Sequence, residues 1–334
     1  MNENVLLDAK MKLDELARGF QSSTILLTAC KFGVFAAIGR SAKSAGELAK
    51  ELELDERALE IVLLALAADD ILISSNSAFR VSPKVAPFLL PDGAQTQESI
   101  MNHNYNCMLR WAQLGDVLRT GEPIPFACGE RSPDQLRDFI CGMANISRIS
   151  SVECTEKFDF SSYRRLLDVG GGPGTSSIVF AQNNPQLRCV VFDLEGPIAI
   201  AREEIDKAGI GDRVETRVGD YYQNDLGEGF DLVYISNIIH AIGPADTKML
   251  CAKAHDALDD GGTLIIKDFF LEDDRFTPAF AARFSVNMLV GTERGKSYTL
   301  TETKEILSEI GFGNFEKIDV AAASGLLIAK KKTP

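Results

Sequence analysis

A glycine-rich segment directly after an apolar run is the feature that most restricts the fold of this chain. Residues 164–177 read RRLLDVGGGPGTSS, so a short hydrophobic stretch runs into glycines at positions 170, 171, 172 and 174. Glycine lets a ligand approach the main chain closely. A strand that ends in such a loop and continues into a helix is typical of cofactor-binding α/β folds. A dinucleotide and S-adenosylmethionine both remain possible ligands at this point.

Apolar strands and helices alternate from residue 164 to the end of the chain. Helical segments at 174–182, 197–207 and 245–258 lie between runs such as RCVVFDL, FDLVYISN and GGTLIIKDFF. Strands that are apolar on both faces indicate a parallel sheet covered by helices. The last segment, FEKIDVAAASGLLIAK, holds two strands joined too briefly for a crossover helix, so they should pair antiparallel. The predicted fold class is α/β: a Rossmann-like, doubly wound, seven-stranded sheet with an antiparallel terminal hairpin.

The N-terminal residues 1–95 predict a mainly helical winged-helix domain. Two apolar helical patterns within residues 48–73 are separated by an acidic LDER turn, and a two-stranded wing follows around Ser75 and Asn76. The second helix, 55–70, is strongly acidic, so DNA phosphates would repel it. We expect this module to bury its apolar faces against another subunit.

Length and composition suggest a chain of more than one domain. We expect a winged-helix dimerisation domain at 1–95, a helical linker and substrate-pocket segment at 96–160, and a cofactor-binding domain at 161–334. The middle segment is rich in aromatic and sulfur side chains, which could form either an inter-domain core or a wall around a flat ligand. These side chains are Tyr105, Met108, Trp111, Phe126, Phe139 and Met143.

Charge and cysteine usage narrow the possible partners. The net charge is −13, whereas an enzyme of nucleic acids usually carries a basic face, so we expect no nucleic-acid partner. The seven cysteines are scattered without a CxxC pair and the three histidines lie far apart, so we expect no metal site. The sequence also shows no membrane span and no signal peptide, and a cytoplasmic location is expected.

Two positions near the glycines do not decide between the two cofactors. A dinucleotide fingerprint GxGxxG would place its last glycine at 175, where Thr175 stands. Asp193, at the end of the second strand, could bind ribose hydroxyls in either cofactor.

Three further features favour S-adenosylmethionine, one of which is the antiparallel terminal hairpin described above. Asp168 precedes the glycines in the pattern DxGxGxG, and its carboxylate suits a cofactor with a cationic amino-acid end. The third strand ends in VGDYY: Gly219 gives backbone access, Asp220 can accept from an adenine amino group, and Tyr221 offers a flat face. Together these features predict S-adenosylmethionine as the cofactor.

Residues 164–330 resemble class I S-adenosylmethionine-dependent methyltransferases. The whole chain is similar to the small-molecule O-methyltransferase family that includes plant caffeate and flavonoid enzymes, hydroxyindole O-methyltransferase and bacterial natural-product enzymes. The stretches that carry the resemblance are LLDVGGGPG, VVFDL, VGDYY, FDLVYISNIIH, GGTLIIKDFF, MLVGTERGKSYTLTE, TGEP and FICGMANIS. In that family the N-terminal module is a dimerisation domain, so the resemblance implies a homodimer.

The resemblance assigns roles to individual residues. Gly170 and Gly172 are expected near the methionine part of the cofactor, Asp193 and Leu194 near the ribose, and Gly219, Asp220 and Tyr221 at the adenine. Ser236 and Asn237 occupy cofactor-contact positions where the family commonly has Lys and Trp, and Met143 matches a methionine near the reacting methyl. Tyr105, Trp111 and Met288 are expected to bind the substrate.

His240 occupies the catalytic-base position of the family, in the stretch SNIIH. An imidazole that removes the proton of a phenol, whose pKa is near 10, makes its oxygen a good nucleophile. The sequence departs from the family pattern around it, because Ala241 and Ser297 stand where relatives carry acids. The remaining acid that could support the base is Asp268.

These observations predict an O-methyltransferase of a small hydroxylated aromatic or heteroaromatic metabolite. The weaker set of acids around His240 keeps alternatives open: an N- or C-methyltransferase, or a family member that uses the bound sulfonium for electrostatic catalysis of a rearrangement without methyl transfer. A nucleic-acid methyltransferase and a winged-helix regulator are disfavoured by charge.

Overall fold

Two units make up the structure, Met1–Leu109 and Arg110–Pro334. It is a computed structural model that describes residues 3–124, 133–321 and 323–333. Phe126, one of the aromatic residues named above, lies outside these ranges. Within them, no helix combines the length and apolar character that a membrane span needs.

The N-terminal unit is mainly helical and contains a small three-stranded antiparallel sheet. Its strands lie in the order β1-β3-β2. Its elements are α1 (Glu3–Arg18), α2 (Phe20–Lys31), α3 (Val34–Ile38), β1 (Lys43–Ser44), α4 (Ala45–Leu52), α5 (Glu56–Ala68), β2 (Leu72–Ser75), β3 (Ala78–Val81), α6 (Ala86–Leu89) and α7 (Glu98–Trp111), which continues two residues beyond the unit.

Local sequence signals explain the two helices and the hairpin that follow β1. Ser44 and Glu47 form a reciprocal capping box at the start of α4, and the Asp55 side chain accepts from the Ala58 N–H at the start of α5. The turn between β2 and β3 places Asn76 and Ser77 at positive φ, as a two-residue hairpin requires. The helical pair and the hairpin therefore form at the predicted place in the sequence.

The core of the N-terminal unit consists of aliphatic and aromatic side chains from α2 to α6. Leu48 and Leu63 are completely buried, and Leu66, Phe35 and Ile38 are nearly so. By contrast, the large apolar side chains of α1 are exposed by half to two-thirds of their surface. Burial of α2–α6 accounts for the fold of this unit, whereas the apolar surface of α1 does not take part in this core.

The second unit is built on a seven-stranded sheet with helices on both faces. Its first helices are α8 (Leu114–Thr120) and α9 (Pro133–Lys157). The alternating part consists of β4 (Arg165–Val169), α10 (Thr175–Asn183), β5 (Arg188–Asp193), α11 (Glu195–Ala208), β6 (Val214–Val218), β7 (Phe230–Ser236), α12 (Pro244–Ala257), β8 (Leu258–Asp268), α13 (Ala279–Gly291), α14 (Leu300–Ile310), β9 (Phe312–Val320) and β10 (Ser324–Lys331).

The strand order of this sheet is β6-β5-β4-β7-β8-β10-β9, which confirms the predicted doubly wound fold. Strands β4 to β8 pair parallel, whereas β10 pairs antiparallel with both β8 and β9. The chain thus winds in one direction from β4 to β6 and then crosses back to β7. In such sheets the ligand site lies outside the carboxyl ends of the strands, at the point where the strand order reverses.

Each face of the sheet has its own apolar core. Val233, Ile235 and Ile266 belong to the layer under α12 and α14, and Tyr234 and Ile265 belong to the layer under α9, α10 and α11. This alternation follows from the two-residue period of a strand. Residues near the carboxyl ends of β4, β7 and β8 therefore face two different environments.

Candidate active site

The glycine loop after β4 has the backbone conformation that its sequence requires. Gly170, Gly172 and Gly174 all have φ between 56° and 73°, where side chains are strained. A Cβ on Gly170 would lie 2.6 Å from Cδ1 of Ile238, so the Ile238 side chain would have to move to admit it. A Cβ on Gly172 would meet nothing within 4 Å, so this glycine borders open space. The loop offers a bare backbone against which a ligand can lie.

Asp168 lies beneath the loop and supports it. The hydroxyl of Ser177 donates to Asp168 Oδ2 at 2.7 Å, and a Cβ on Gly171 would lie 2.8 Å from the Asp168 carboxyl carbon. Burial raises the pKa of Asp168 to about 7, against the hydrogen bonds from Ser177 that lower it. A carboxyl group with this pKa changes charge near neutral pH, and a cation brought to the loop favours its ionised form.

Asp193 closes the other side of the loop. Its Oδ2 accepts from the Gly172 N–H at 2.8 Å and its Oδ1 from the Leu194 N–H at 2.7 Å. Burial raises the pKa of Asp193, and the two N–H donors act in the opposite direction. The carboxylate thus lies beside the open space at Gly172, and its predicted contact with a ribose hydroxyl stays a prediction. Leu194 is 44% exposed next to it.

The end of β6 forms a turn that is fixed by Asp220. Its Oδ1 accepts from the Tyr222 N–H and its Oδ2 from Nε2 of Gln223. The Gly219 N–H donates to the Asp193 carbonyl at 2.9 Å, and a Cβ on Gly219 would collide with the Phe192 ring. The predicted adenine contact, Asp220, therefore also holds its own turn.

Tyr221 packs partly against the apolar core, and its ring lies 4.7 Å from that of Tyr222. Two further apolar residues, Tyr222 and Val218, are exposed by 49% and 42% near the ends of β5 and β6. Sequence reasoning did not single them out. Their exposure, which they share with Leu194 at the neighbouring strand end, becomes visible only in the structure.

Ser236 ends β7 and Asn237 follows it, and this segment lies beside the glycine loop, since Ile238 lies against Gly170. Asn237 takes a left-handed conformation with φ 57°, which asparagine tolerates, and its N–H donates to the Lys267 carbonyl at 2.9 Å. Its side-chain Oδ1 is buried and accepts no hydrogen bond from the described residues. An unsatisfied buried acceptor beside a bare glycine backbone fits a ligand that brings donors, as the cationic amino-acid end of S-adenosylmethionine does.

Helix α9 borders this region from one face of the sheet. Its Ser151 hydroxyl lies 2.9 Å from the Ser176 hydroxyl in the first turn of α10, and both are buried. This contact fixes α9 to the helix that leaves the glycine loop. Met143, partly buried, lies on the same helix more than two turns before Ser151.

His240 lies in a single 3-10 turn, Ile239–Ala241, directly after β7, and is 7% exposed. Its Nδ1 lies 2.6 Å from Oδ1 of Asp268, the last residue of β8. The same carboxylate also accepts from the His240 N–H at 3.3 Å and the Phe269 N–H at 2.7 Å. Since the carboxylate can only accept when ionised, Nδ1 carries the proton and Nε2 keeps its lone pair. The arrangement is that of a histidine oriented by an acid.

Aromatic rings surround the imidazole. The ring of Phe284 meets it edge to face at 4.8 Å between centroids, and the ring of Phe269 lies at 6.0 Å. Phe280 packs against Phe269 at 5.1 Å and is itself 43% exposed. Sequence reasoning missed these residues, although the spacing of Phe280, Phe284 and Met288 places them on one face of α13. They form an apolar wall next to the histidine.

The predicted substrate residues have different surroundings. Trp111 donates from Nε1 to Oδ1 of Asn287 on α13 at 2.9 Å, and Met288, on the same helix, is buried. Tyr105 lies on α7 within the N-terminal unit, and its role stays a prediction.

Ser297 donates to the Ala281 carbonyl at 2.9 Å and so binds α13 rather than the imidazole. Asp268 is therefore the acid that orients His240.

No cluster of three or more metal-ligating side chains occurs in the ranges that the structure describes. The cysteines among these residues are all free thiols, and burial raises the pKa of Cys154 and Cys251 to about 12. Neutral buried thiols of this kind behave as small apolar residues.

Comparison with known proteins identifies the family. The model of the O-methyltransferase domain matches residues 112–313, and that of the O-methyltransferase dimerisation domain matches residues 14–84. The 3-hydroxy-5-methyl-1-naphthoate 3-O-methyltransferase of Streptomyces sahachiroi is 30% identical, over 96% of this chain and 94% of that protein. The L-tyrosine C(3)-methyltransferase of Streptomyces lavendulae is 25% identical, over 94% and 90%.

Among solved structures, human N-acetylserotonin methyltransferase in complex with S-adenosylmethionine has the same fold. Its TM-score is 0.86 at 22% identity, with 97% of this chain and 98% of that chain covered. The predicted enzyme class and cofactor, methyl transfer and S-adenosylmethionine, are confirmed at the level of the family. The glycine loop, the strand-end carboxylates and the match over both units lead to one conclusion: this chain belongs to the O-methyltransferase family with an N-terminal dimerisation domain.

Proposed function

We propose that this chain methylates a hydroxyl group of a small aromatic or heteroaromatic metabolite and that His240 is its general base. The observation that carries the proposal is the 2.6 Å contact between His240 Nδ1 and Asp268 Oδ1, which leaves Nε2 as a proton acceptor beside an aromatic wall. Relatives that act on a hydroxynaphthoate and on acetylserotonin support this class of acceptor.

The cofactor is proposed to lie across the loop after β4. S-adenosylmethionine supplies an electrophilic methyl group when it is bound. The bare backbone at Gly170 and Gly172 and the unsatisfied Asn237 Oδ1 suit its amino-acid end, with Ser236 and Met143 nearby in the family pattern. Asp193 with Leu194, and Gly219 to Tyr221, are assigned to its ribose and adenine.

His240 is proposed to take the acceptor proton at Nε2. The imidazolium formed in this step is stabilised by the Asp268 carboxylate, which already binds Nδ1. Three donors hold that carboxylate in place, so the imidazole keeps its orientation while the proton moves. Burial of His240 excludes water, and the chain's own residues then contribute alignment and deprotonation.

The aromatic wall favours a flat acceptor. The rings beside the base belong to Phe269, Phe280 and Phe284. Trp111 adds an indole ring, which is hydrogen-bonded to α13. Aromatic pairs of this kind contribute about 0.5–1.5 kcal/mol beyond the area that they bury. Such a wall has no charged group to bind an ionic acceptor, so an apolar ring with a hydroxyl fits it best.

Two other reactions remain candidates. The relative that methylates C(3) of tyrosine supports a carbon acceptor, for which the same base would deprotonate an activating phenol. A reaction without methyl transfer would use the charge of the bound cofactor alone. Product mass separates these possibilities: one added methylene equivalent indicates methylation, its attachment to oxygen or carbon distinguishes the acceptor, and an unchanged mass indicates rearrangement.

A homodimer is proposed through the N-terminal unit. The dimerisation model covers residues 14–84, and α1 exposes a series of large apolar side chains that a second copy could cover. These are Val5, Leu6, Leu7, Met11, Leu13 and Leu16, each 49–68% exposed. A cytoplasmic location, like the expected absence of nucleic-acid and membrane partners, stays a prediction.

The decisive experiment is calorimetric titration with S-adenosylmethionine followed by a methylation screen over phenols and hydroxylated heterocycles. Binding of the cofactor and a methylated product are expected. Tight binding of NAD without binding of S-adenosylmethionine would overturn the assignment. A mobility-shift assay at low salt tests the nucleic-acid alternative, for which no shift is expected.

A further inference from the structure

Lys253 on α12 binds the turn at residues 220–224, which follows β6. Its Nζ donates to the main-chain carbonyls of Tyr221 at 2.8 Å, Tyr222 at 3.4 Å and Asn224 at 2.9 Å. An ammonium group has three donors, so these carbonyls match its full capacity. The half-buried lysine thus connects its helix to a turn that lies 29 to 32 residues earlier in the sequence.

The turn leaves these carbonyls available because its own hydrogen bonds converge on Asp220. The N–H groups of Gln223 and Asn224 both donate to the Asp220 carbonyl, at 2.9 and 2.7 Å, and Asn224 Oδ1 accepts from the Asp220 N–H. The carbonyls of Tyr221, Tyr222 and Asn224 receive no main-chain N–H from the described residues. Carbonyls left over in this way occur at helix ends, where lysine side chains also bind them.

Helix α12 gives Lys253 a firm base. Leu250 and Ala254, which flank the lysine on the same helix, are completely buried in the layer under α12. Tyr221 packs partly against that layer. Strand β6 is an edge strand of the sheet, so the turn after it has a neighbouring strand on one side only. The lysine therefore ties a turn at the sheet edge to a helix that the core holds in place.

We propose that Lys253 is a positioning residue for adenine recognition, because it fixes the turn that carries Asp220 and Tyr221. The inference rests on the proposed function, which assigns these two residues to the adenine of the cofactor. The effect of Lys253 passes through the main chain of the turn, without contact to the cofactor.

Fixing the turn improves binding without adding a contact. A turn that already has its bound conformation loses less conformational entropy when the ligand arrives. The Oδ1 and Oδ2 atoms of Asp220 accept from the Tyr222 N–H and the Gln223 side chain, and each oxygen keeps a second lone pair for an adenine amino group. The direction of that lone pair depends on the turn. A loosened turn should therefore weaken the selection for the amino group more than it weakens the rest of the binding.

Calorimetric titration with two ligands that differ only at position 6 of the purine measures this selection. S-adenosylhomocysteine carries the amino group there, whereas S-inosylhomocysteine carries a carbonyl oxygen, which cannot donate to Asp220. The wild type should bind the first ligand more tightly. In Lys253→Met the ratio of the two dissociation constants should shrink by about tenfold, the contribution of one hydrogen bond to a charged group. Lys253→Arg should restore most of the ratio, because a guanidinium can donate to several carbonyls.

Lys248→Met is the matched control. Lys248 lies exposed on the same helix and pairs with Glu309 at 2.7 Å, so its loss should leave the ratio unchanged. Hydrogen exchange without any ligand tests the turn directly. The amides of Gln223 and Asn224 should exchange about tenfold faster in Lys253→Met and at the rate of the wild type in Lys248→Met.

An unchanged ratio in folded Lys253→Met, an equal loss in Lys248→Met, or unchanged exchange of the turn amides would overturn the inference. A lysine that only supported the fold would weaken both ligands alike and leave the ratio as it was. If Lys253→Met does not fold, Lys253→Gln takes its place under the same criteria. A wild type that binds neither ligand would overturn the proposed cofactor and the adenine role together, whereas a wild type that prefers the adenosyl ligand with an unchanged ratio in the variant contradicts Lys253 alone.

Discussion

His240 and Asp268 meet at 2.6 Å although they lie 28 residues apart in sequence. His240 lies just after the carboxyl end of β7, and Asp268 is the last residue of the neighbouring parallel strand β8. The register pairs Ser236, the last residue of β7, with Lys267, the residue before Asp268. Parallel pairing thus brings an imidazole from one strand end to a carboxylate from the next. The geometry needs no support from Ala241 or Ser297, the positions where relatives have acids.

Replacement of His240 by alanine should slow turnover by about 10²–10⁴-fold, the usual contribution of a positioned base. Affinity for S-adenosylmethionine should change little, because Nε2 is proposed to face the acceptor rather than the cofactor. The loss should shrink as the pH approaches the pKa of the acceptor hydroxyl, since the anion then forms without the base. Steady-state rates across pH with phenols of different acidity measure this. An equal loss at every pH and for every acceptor would mean that His240 only shapes the pocket.

Asp268→Asn should give a smaller loss of turnover than His240→Ala, of about tenfold to a hundredfold. The amide can still accept from Nδ1, but it no longer stabilises the imidazolium. Asp260→Asn, a neutralisation at an exposed position earlier in β8, serves as the control. If Asp268→Asn kept the same activity as Asp260→Asn, the carboxylate would have no role in orienting the base.

The sequence contained enough information for the fold and for most of the cofactor side of the site. Strands apolar on both faces predicted the parallel sheet, and the glycines with Asp193 and Asp220 predicted where a ligand would lie. Local patterns sufficed there, because each loop directly follows its own strand. The contact of His240 with Asp268 could be anticipated for the same reason.

The acceptor side was harder to predict from the sequence. Phe269 and Phe284 meet His240, and Phe280 packs on both of these rings, through the packing of α13 on the end of β8. The rotation of a helix is set by such tertiary contacts. The contact of Lys253 with the turn after β6 was equally hidden, since a lysine on a helix gives no signal of the loop that it binds. These features depend on three-dimensional packing rather than on spacing along the chain.

Phe280→Ala should raise KM for an aromatic acceptor by about tenfold, since one face of the aromatic wall is lost. Binding of S-adenosylmethionine should stay the same, and kcat should change little because Phe269 and Phe284 still pack on the imidazole. Phe276→Ala, at a position 69% exposed just before α13, provides a matched control. Equal KM values for both variants would remove Phe280 from the acceptor site.

Leu13→Glu should weaken the proposed dimer by placing a charge among the exposed apolar residues of α1. Leu13 is 67% exposed in the single chain, and a charge buried in an interface without a partner is strongly unfavourable. Lys12→Gln changes the net charge by the same amount on the same helix and should leave the dimer intact. Sedimentation velocity at micromolar concentration measures the result. A wild type that sediments as a monomer, or two variants that behave alike, would contradict this interface.

Asp168 should make the stability of the second unit fall as the pH rises towards neutrality. Its pKa is raised from 3.8 to about 7 in the folded chain, so between these values the unfolded chain has released a proton that the folded chain still holds. The free energy of unfolding therefore decreases with pH across this window, by up to about 1.4 kcal/mol per unit. Asp168→Asn removes this dependence and keeps an acceptor for the Ser177 hydroxyl.

Urea unfolding followed by the fluorescence of Trp111, the single tryptophan of the chain, measures this effect in the unit that contains Asp168. The free energy of unfolding is measured for Asp168→Asn and for the wild type between pH 4.5 and 7.5. The value of the variant minus that of the wild type should increase steadily with pH, since the contributions of all other titrating groups cancel. Asp159→Asn is the control, because that exposed carboxyl has a lowered pKa and titrates below this range, so its difference should stay flat. A flat difference for Asp168→Asn as well would show that its carboxyl is already ionised in the folded chain at pH 4.5.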